Sequence, residues 1–188
     1  MHFLIHGVDA PRFGSDDGPV DRDEEHQSYM DGWLARMIAR GPTLSPDGEE
    51  HTGSVHVLDL ADLDTARRFA AEEPYARAGW YADVRVYPFR PLLEGTMWDR
   101  PPAPPGRPSS LVLASWAPRP VTDDLARRLA GAAWLFAGLL LTEAGDASVG
   151  FAGAVDLAPG AAAPVSGELL GAGLTVEVQR WRRGGRDA

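Results

Sequence analysis

The chain has 188 residues, a length that suits one or two small domains, and its 44% apolar and 24% charged residues are ordinary for a globular protein able to bury a sizeable core. It contains no cysteine, which excludes disulfide frameworks, thiolate nucleophiles and zinc–cysteine sites and fits a reducing, cytoplasmic setting. The net charge of −9 repels a phosphate backbone and argues against nucleic acid as a partner.

No basic region followed by a long apolar run opens the sequence, so no signal peptide is expected. The longest apolar stretch, around Ala132 to Leu141, is broken by Gly138 and is too short to span a bilayer, so no membrane partner is expected.

Met1 to Asp9 alternates large apolar residues and predicts a strand, and Pro11 to Gly18 reads as a loop. Met30, Trp33, Leu34, Met37 and Ile38 share one helical face, which predicts a helix over Asp21 to Arg40, ended by Gly41-Pro42. A short strand at Thr43 to Ser45, a turn at Pro46-Asp47-Gly48 and a strand at Thr52 to Leu60 follow. Leu63, Ala66, Phe69 and Ala70 mark a second helix stopped near Pro74, and Tyr81 to Phe89 closes a β-α-β-β-α-β order, the ferredoxin-like pattern.

Pro101, Pro102, Pro104, Pro105 and Pro108 predict a stiff, extended linker. The pattern then recurs: a strand at Ser110 to Trp116, a helix from Thr122 to Gly138, a short strand at Leu139 to Thr142, a longer one at Ser148 to Leu157, a short helix over Ala161 to Leu170 and a strand at Leu174 to Trp181. Gly41-Pro42-Thr43-Leu44 aligns with Gly138-Leu139-Leu140-Leu141, and Val84 to Tyr87 with Val176 to Gln179. The fold class expected is α+β: tandem ferredoxin-like modules at 1–95 and 110–188, joined by a linker at 96–109. Each module leaves one sheet face open, and tethering makes face-to-face docking nearly intramolecular, giving a dimeric α+β barrel within one chain. A homodimer, with each sheet paired to another chain, is the competing arrangement. The basic run from Arg180 to Arg186 reads as the solvated end of the last strand.

In the first half, Glu25-His26-Gln27-Ser28-Tyr29-Met30, Ala39-Arg40-Gly41-Pro42, Thr52-Gly53-Ser54-Val55, the run from Ala71 through Pro74-Tyr75 to Gly79, and Val84-Arg85-Val86-Tyr87-Pro88-Phe89 resemble the YciI-like (YCII-related) family in order and spacing. The resemblance implies a dimeric α+β barrel and an active site built from a histidine and an aspartate. The histidine matches His26. The aspartate position, before Pro-Tyr, holds Glu73, which keeps the charge and reaches one methylene further. The second half lacks the histidine and the Pro-Tyr motif, so the resemblance makes it a degenerate structural partner. A related dehydrochlorinase suggests cofactor-free elimination from small aromatic or enol-like compounds.

The residues themselves allow the same site. His26 lies one turn before Met30, and Glu73 one turn after Phe69, both on apolar helix faces. A carboxylate meeting the imidazole there orients it and leaves the other ring nitrogen for proton transfer; a buried ion pair that only fixes helix packing uses the same geometry. Strand alternation further suggests that His6, His56, Arg85 and Tyr87 share one sheet face as substrate-binding groups, with Arg85 holding a carboxylate or enolate, or else form a wet inter-module interface. His51, in an acidic turn, reads as solvent-exposed. His2 and His6 are about 13 Å apart on a strand, too far to share a metal. There is no GxGxxG, P-loop or nucleophile elbow, and no cofactor or metal is expected. The reading is a small cofactor-independent lyase or isomerase acting on a small-molecule substrate through His26 and Glu73. The alternatives are a non-catalytic ligand-binding or accessory protein and a cofactor-free oxygenase.

Overall fold

The computed structural model describes residues 1–14, 22–101, 107–123, 126–127, 133–162 and 174–185. The first half comprises β1 (His2–Asp9), α1 (Arg22–Asp31), a 3-10 turn (Leu34–Arg36), β2 (Met37–Leu44), β3 (His51–Asp59), α2 (Leu63–Glu72), the single-turn α3 (Pro74–Arg77) and β4 (Tyr81–Pro91). A second 3-10 turn (Met97–Asp99) precedes β5 (Ser109–Arg119), β6 (Trp134–Leu141), β7 (Ser148–Val155) and β8 (Thr175–Trp181). The fold is α+β and dominated by strands.

The strands close into one barrel in the order β1-β3-β2-β8-β5-β7-β6-β4. One arc runs β4-β1-β3-β2 and the other β8-β5-β7-β6, the same order with each number raised by four. Every pairing is antiparallel. The arcs meet at two short seams. Thr43 and Leu44 of β2 pair with Trp181 and Arg180 of β8, and Phe89 to Pro91 of β4 pair with Leu140 to Gly138 of β6. Face-to-face docking therefore describes only part of the arrangement. Edge strands carry unpaired N–H and C=O groups, and here the edges of each arc are satisfied by the other arc.

Three apolar clusters follow from this closure. Leu4, Val55, Val57 and Phe89 meet Leu111, Leu140 and Trp181 in a cluster shared by both arcs. On the other face of the first arc, Phe3, Ile5 and Leu58 pack under Met30 of α1 and Phe69 of α2. Val112, Leu139 and Phe151 form a third cluster with Trp134 and Ala162. Met97, in the stretch expected to be linker, is fully buried in the shared cluster.

Two helical expectations are corrected. The helix after the first loop stops at Asp31, and Met37 to Arg40 are strand. Met37 and Ile38 keep helical spacing to Trp33 and Leu34, but the 3-10 turn resets the chain, and Met37 then faces the cluster beneath the helices from β2. In the second half, Trp134 through Gly138 belong to β6 rather than to the end of a helix or to a separate short strand. The run WLFAGLLL is buried almost throughout, and a short continuous apolar run cannot be told from a buried helix by periodicity. The expected helix over Ala161 to Leu170 lies mostly outside the described residues.

The β4–β6 seam has little spare room. A Cβ on Gly138 would stand 2.2 Å from the ring of Phe89. Gly138→Ala is expected to lower the unfolding free energy by about 1–3 kcal/mol through overpacking, read from the midpoint of urea denaturation; an unchanged midpoint would refute the seam as described.

Candidate functional site

Glu73 is placed by a break between two helices. Pro74 cannot continue α2 without loss of a backbone hydrogen bond, so the chain turns at Glu73 (φ −59°, ψ 131°) and restarts as α3 with proline in its first turn. Glu73 thus lies just beyond the apolar face of α2, at the junction of the two helices. Its Oε2 accepts from the Ala76 amide at 3.0 Å, and its Oε1 accepts from His26 Nδ1. Both side chains are buried, at 2% exposure for Glu73 and 7% for His26. With both carboxylate oxygens engaged, the imidazole has a fixed orientation.

Tyr75 fixes the ring's other face. Its ring is stacked parallel to that of His26 (centroids 4.2 Å, 1°), and its hydroxyl donates to Asp23 Oδ1 at 2.6 Å. Burial, the bond to Asp23 and the nearby Glu73 hold the Tyr75 hydroxyl far above the ordinary phenol range, so it acts as a neutral donor and platform. Beside this assembly lies a cleft of about 510 Å³, whose lining includes His26, His51, His56, Tyr75 and Arg40.

His51 belongs to this cleft, contrary to the expectation of a solvent-exposed turn residue. Its Nδ1 meets Asp9 Oδ2 at 2.7 Å, Ser54 Oγ lies 3.3 Å from its Nε2, and its ring stacks on Phe13 (centroids 4.3 Å, 7°). The lining of the cleft therefore includes two histidines, each paired with a carboxylate, and both contact Tyr75, whose ring meets His51 edge-on at 6.2 Å. Asp9 and His51 stand at facing ends of β1 and β3, 42 residues apart, and only strand pairing brings them together.

The substrate-binding set expected from alternation is divided by the barrel. Register places His6 beside Val55 and Arg85, whereas His56 lies beside Ile5. His56 accordingly sits on the helix-covered face, 5.8 Å from the His26 ring and 5.8 Å from Phe69. His6, Arg85 and Tyr87 line a separate small recess of about 90 Å³ with Leu113, Ser115 and Glu177 of the other arc. Arg85 is half exposed there and paired with Asp83 at 2.6 Å. Alternation fixes parity within one strand; the relative parity of two strands comes from pairing, which assigns His56 to the opposite face.

The basic run after β8 is also not simply a solvated end. Arg182 N donates to Pro42 O at 3.1 Å and Gly184 N to Arg40 O at 2.9 Å, so the segment continues the seam along β2 and forms one wall of the cleft. Among the described residues, no group of three or more His, Asp or Glu side chains is placed to hold a metal ion, and no helix is long and apolar enough to cross a membrane.

Burial holds the His56 pKa well below 6.5, reinforced by His26, Arg40, His51 and His6; burial and Arg85 also lower that of His6. Both rings stay neutral in the folded chain at pH values where the unfolded chain already binds protons. Stability is therefore expected to be full above about pH 6.5 and to fall as the pH drops below it. Thermal midpoints measured from pH 8 to 5 check this, and His56→Gln should flatten the decline.

The sequence profile of the YCII-related domain matches residues 1–90. An uncharacterized protein from Haemophilus influenzae is 38% identical over 100 residues, which cover 50% of this chain and 100% of that protein. Among solved structures, 5-chloro-2-hydroxyhydroquinone dehydrochlorinase from Burkholderia phenoliruptrix, in complex with 2,5-dihydroxybenzoquinone, is 29% identical, with a TM-score of 0.42, over 48% of this chain and 94% of its own. A monooxygenase candidate from Lactobacillus acidophilus is 10% identical, with a TM-score of 0.49, over 97% of this chain and 93% of its own. With its first half matching both the domain profile and the whole length of the Haemophilus relative, the chain belongs to the YCII-related family.

Proposed function

We propose that the chain is a small cofactor-independent enzyme that moves protons on a small aromatic, enol or acid substrate, as a lyase or isomerase does, with His26 as the proton-transferring group and Glu73 as its positioning partner. The observation that carries this reading is the buried His26–Glu73 pair on the wall of a cleft large enough for such a molecule. Glu73 holds Nδ1, so Nε2 is the nitrogen left to exchange a proton with a bound molecule. Glutamate here does the work of the family's aspartate because the turn at Glu73–Pro74 sets its side chain beside His26 and anchors its second oxygen on the Ala76 amide.

Elimination or isomerisation needs a group that takes a proton from carbon, and a second group able to deliver one, to the leaving group or to the rearranged carbon, assists it. The His51–Asp9 pair in the same cleft is suited to the second task. Tyr75, stacked on His26 and edge-on to His51, and Phe13, stacked on His51, offer an aromatic substrate apolar surface. The second half is, on this proposal, a duplicated module that has lost the histidine and serves to complete the barrel; its strand order supports that reading. A non-catalytic binding protein would use the same cleft, and it would not need a titrating group at position 26.

A panel of small phenols, enols and keto acids, followed by proton NMR in D2O, separates the two. The enzyme reading expects carbon-bound deuterium or new product, and His26→Gln should lower the rate by about 100- to 10,000-fold with little change in the melting temperature. Glu73→Asp should retain measurable turnover. If His26→Gln instead costs about 1–3 kcal/mol of stability through an orphaned buried partner and ligand binding is unaffected, the pair is structural.

A further inference from the structure

We infer that the segment following β8 is the anion-recognising wall of the cleft, with Arg182 as a specificity-determining residue for a small organic carboxylate; the inference deepens the proposed function and rests on it.

The segment is held in place rather than left in solvent. Besides the Arg182 and Gly184 amides on β2, the guanidinium of Arg183 donates from Nη1 to Arg100 O at 3.2 Å and from Nη2 to Pro101 O at 3.3 Å. Trp181, immediately before it, is 2% exposed in the shared core. β2 accommodates the crossing because position 41 is glycine: a Cβ there would stand 2.0 Å from Arg182 O. With Arg183 tied to backbone carbonyls, Arg182 is the exposed cation on this wall.

Charge gives the wall its meaning. The chain as a whole carries −9, so an anion approaching at random is repelled. Beside the cleft, Glu73 engages His26 and the Ala76 amide, one oxygen of Asp9 engages His51, and Asp23 accepts from Tyr75. Arg40, 4% exposed and engaged by Gln27 at 3.3 Å and Asp31 at 3.6 Å, lines the cleft with Arg182, and the Gly184 amide donates to the Arg40 carbonyl. A guanidinium is a planar, permanently charged donor suited to a carboxylate. A carboxylate held at this wall would leave an attached ring or enol directed across Tyr75 towards the histidines. The Haemophilus relative corresponds in length to one half of this chain, so the wall here is a contribution of the second half to a site otherwise built by the first.

The test uses the full chain, with benzoate as probe and benzamide as its neutral counterpart, and dissociation constants from NMR titration. Benzoate should bind more tightly than benzamide, with shift changes at the His26 and His51 rings. Arg182→Gln should weaken benzoate by about five- to tenfold and leave benzamide unchanged, while Arg182→Lys should recover part of the loss. Equal binding of the two probes, no benzoate binding at millimolar concentration, or an unchanged affinity in Arg182→Gln overturns the inference. The proposed function fails separately: a chain that binds benzoate through Arg182 but shows no His26-dependent proton exchange keeps the wall and loses the chemistry. A chain with His26-dependent exchange indifferent to Arg182 does the reverse.

Discussion

The structure depends on the need of two four-stranded arcs to satisfy their edges. A sheet whose outer strands present unpaired backbone groups is a template for any other strand, and the usual remedies are charge, proline or cover. Here β2 and β4 are each paired by a strand of the second arc, through contacts only two or three residues long. Around those seams the apolar side chains of both arcs merge into one core. The helices of the first arc occupy the opposite face, and the cleft opens where α1, the α2–α3 junction and the end of the barrel wall converge. Closure of the barrel thus also supplies one wall of the cleft.

The strands are largely legible in the sequence because alternation is a local property, and α2 because Leu63, Ala66, Phe69 and Ala70 share one helical face ahead of Pro74. His26 and Glu73 are legible as a pair because the family resemblance marks both positions and each sits by an apolar helical stripe. What escaped was whatever depends on one strand's position relative to another. His56 alternates correctly within β3, yet register with β1 assigns it to the helix side. His51 looked like a turn residue because its partners, Asp9 and Phe13, come from a distant segment. Met37 and Phe136 keep helical spacing to their neighbours that a strand tolerates equally well. The role of Arg182 to Gly185 was invisible because nothing local says that a basic run will add to β2.

The two arcs share a strand order and divide the work. The first carries the histidines and carboxylates at the cleft; the second contributes Leu111, Leu140 and Trp181 to the shared core, Ser115 and Glu177 to the small recess, and one wall to the cleft. A site formed by two identical chains would be built twice. In a single chain the second arc need not repeat the side chains of the first, and much of its inner face is given to packing.

The order of the strands along the chain also matters during synthesis. All of β1 to β4 leave the ribosome well before β8, and until β8 arrives β2 lacks its outer partner and the cleft lacks its wall. In that interval the nascent first arc is a sticky, incomplete object, able to capture the corresponding edge of a neighbouring nascent copy on the same message. An exchange of β8 between two such chains would satisfy the same hydrogen bonds and seat the wall of one polypeptide against the histidines of another.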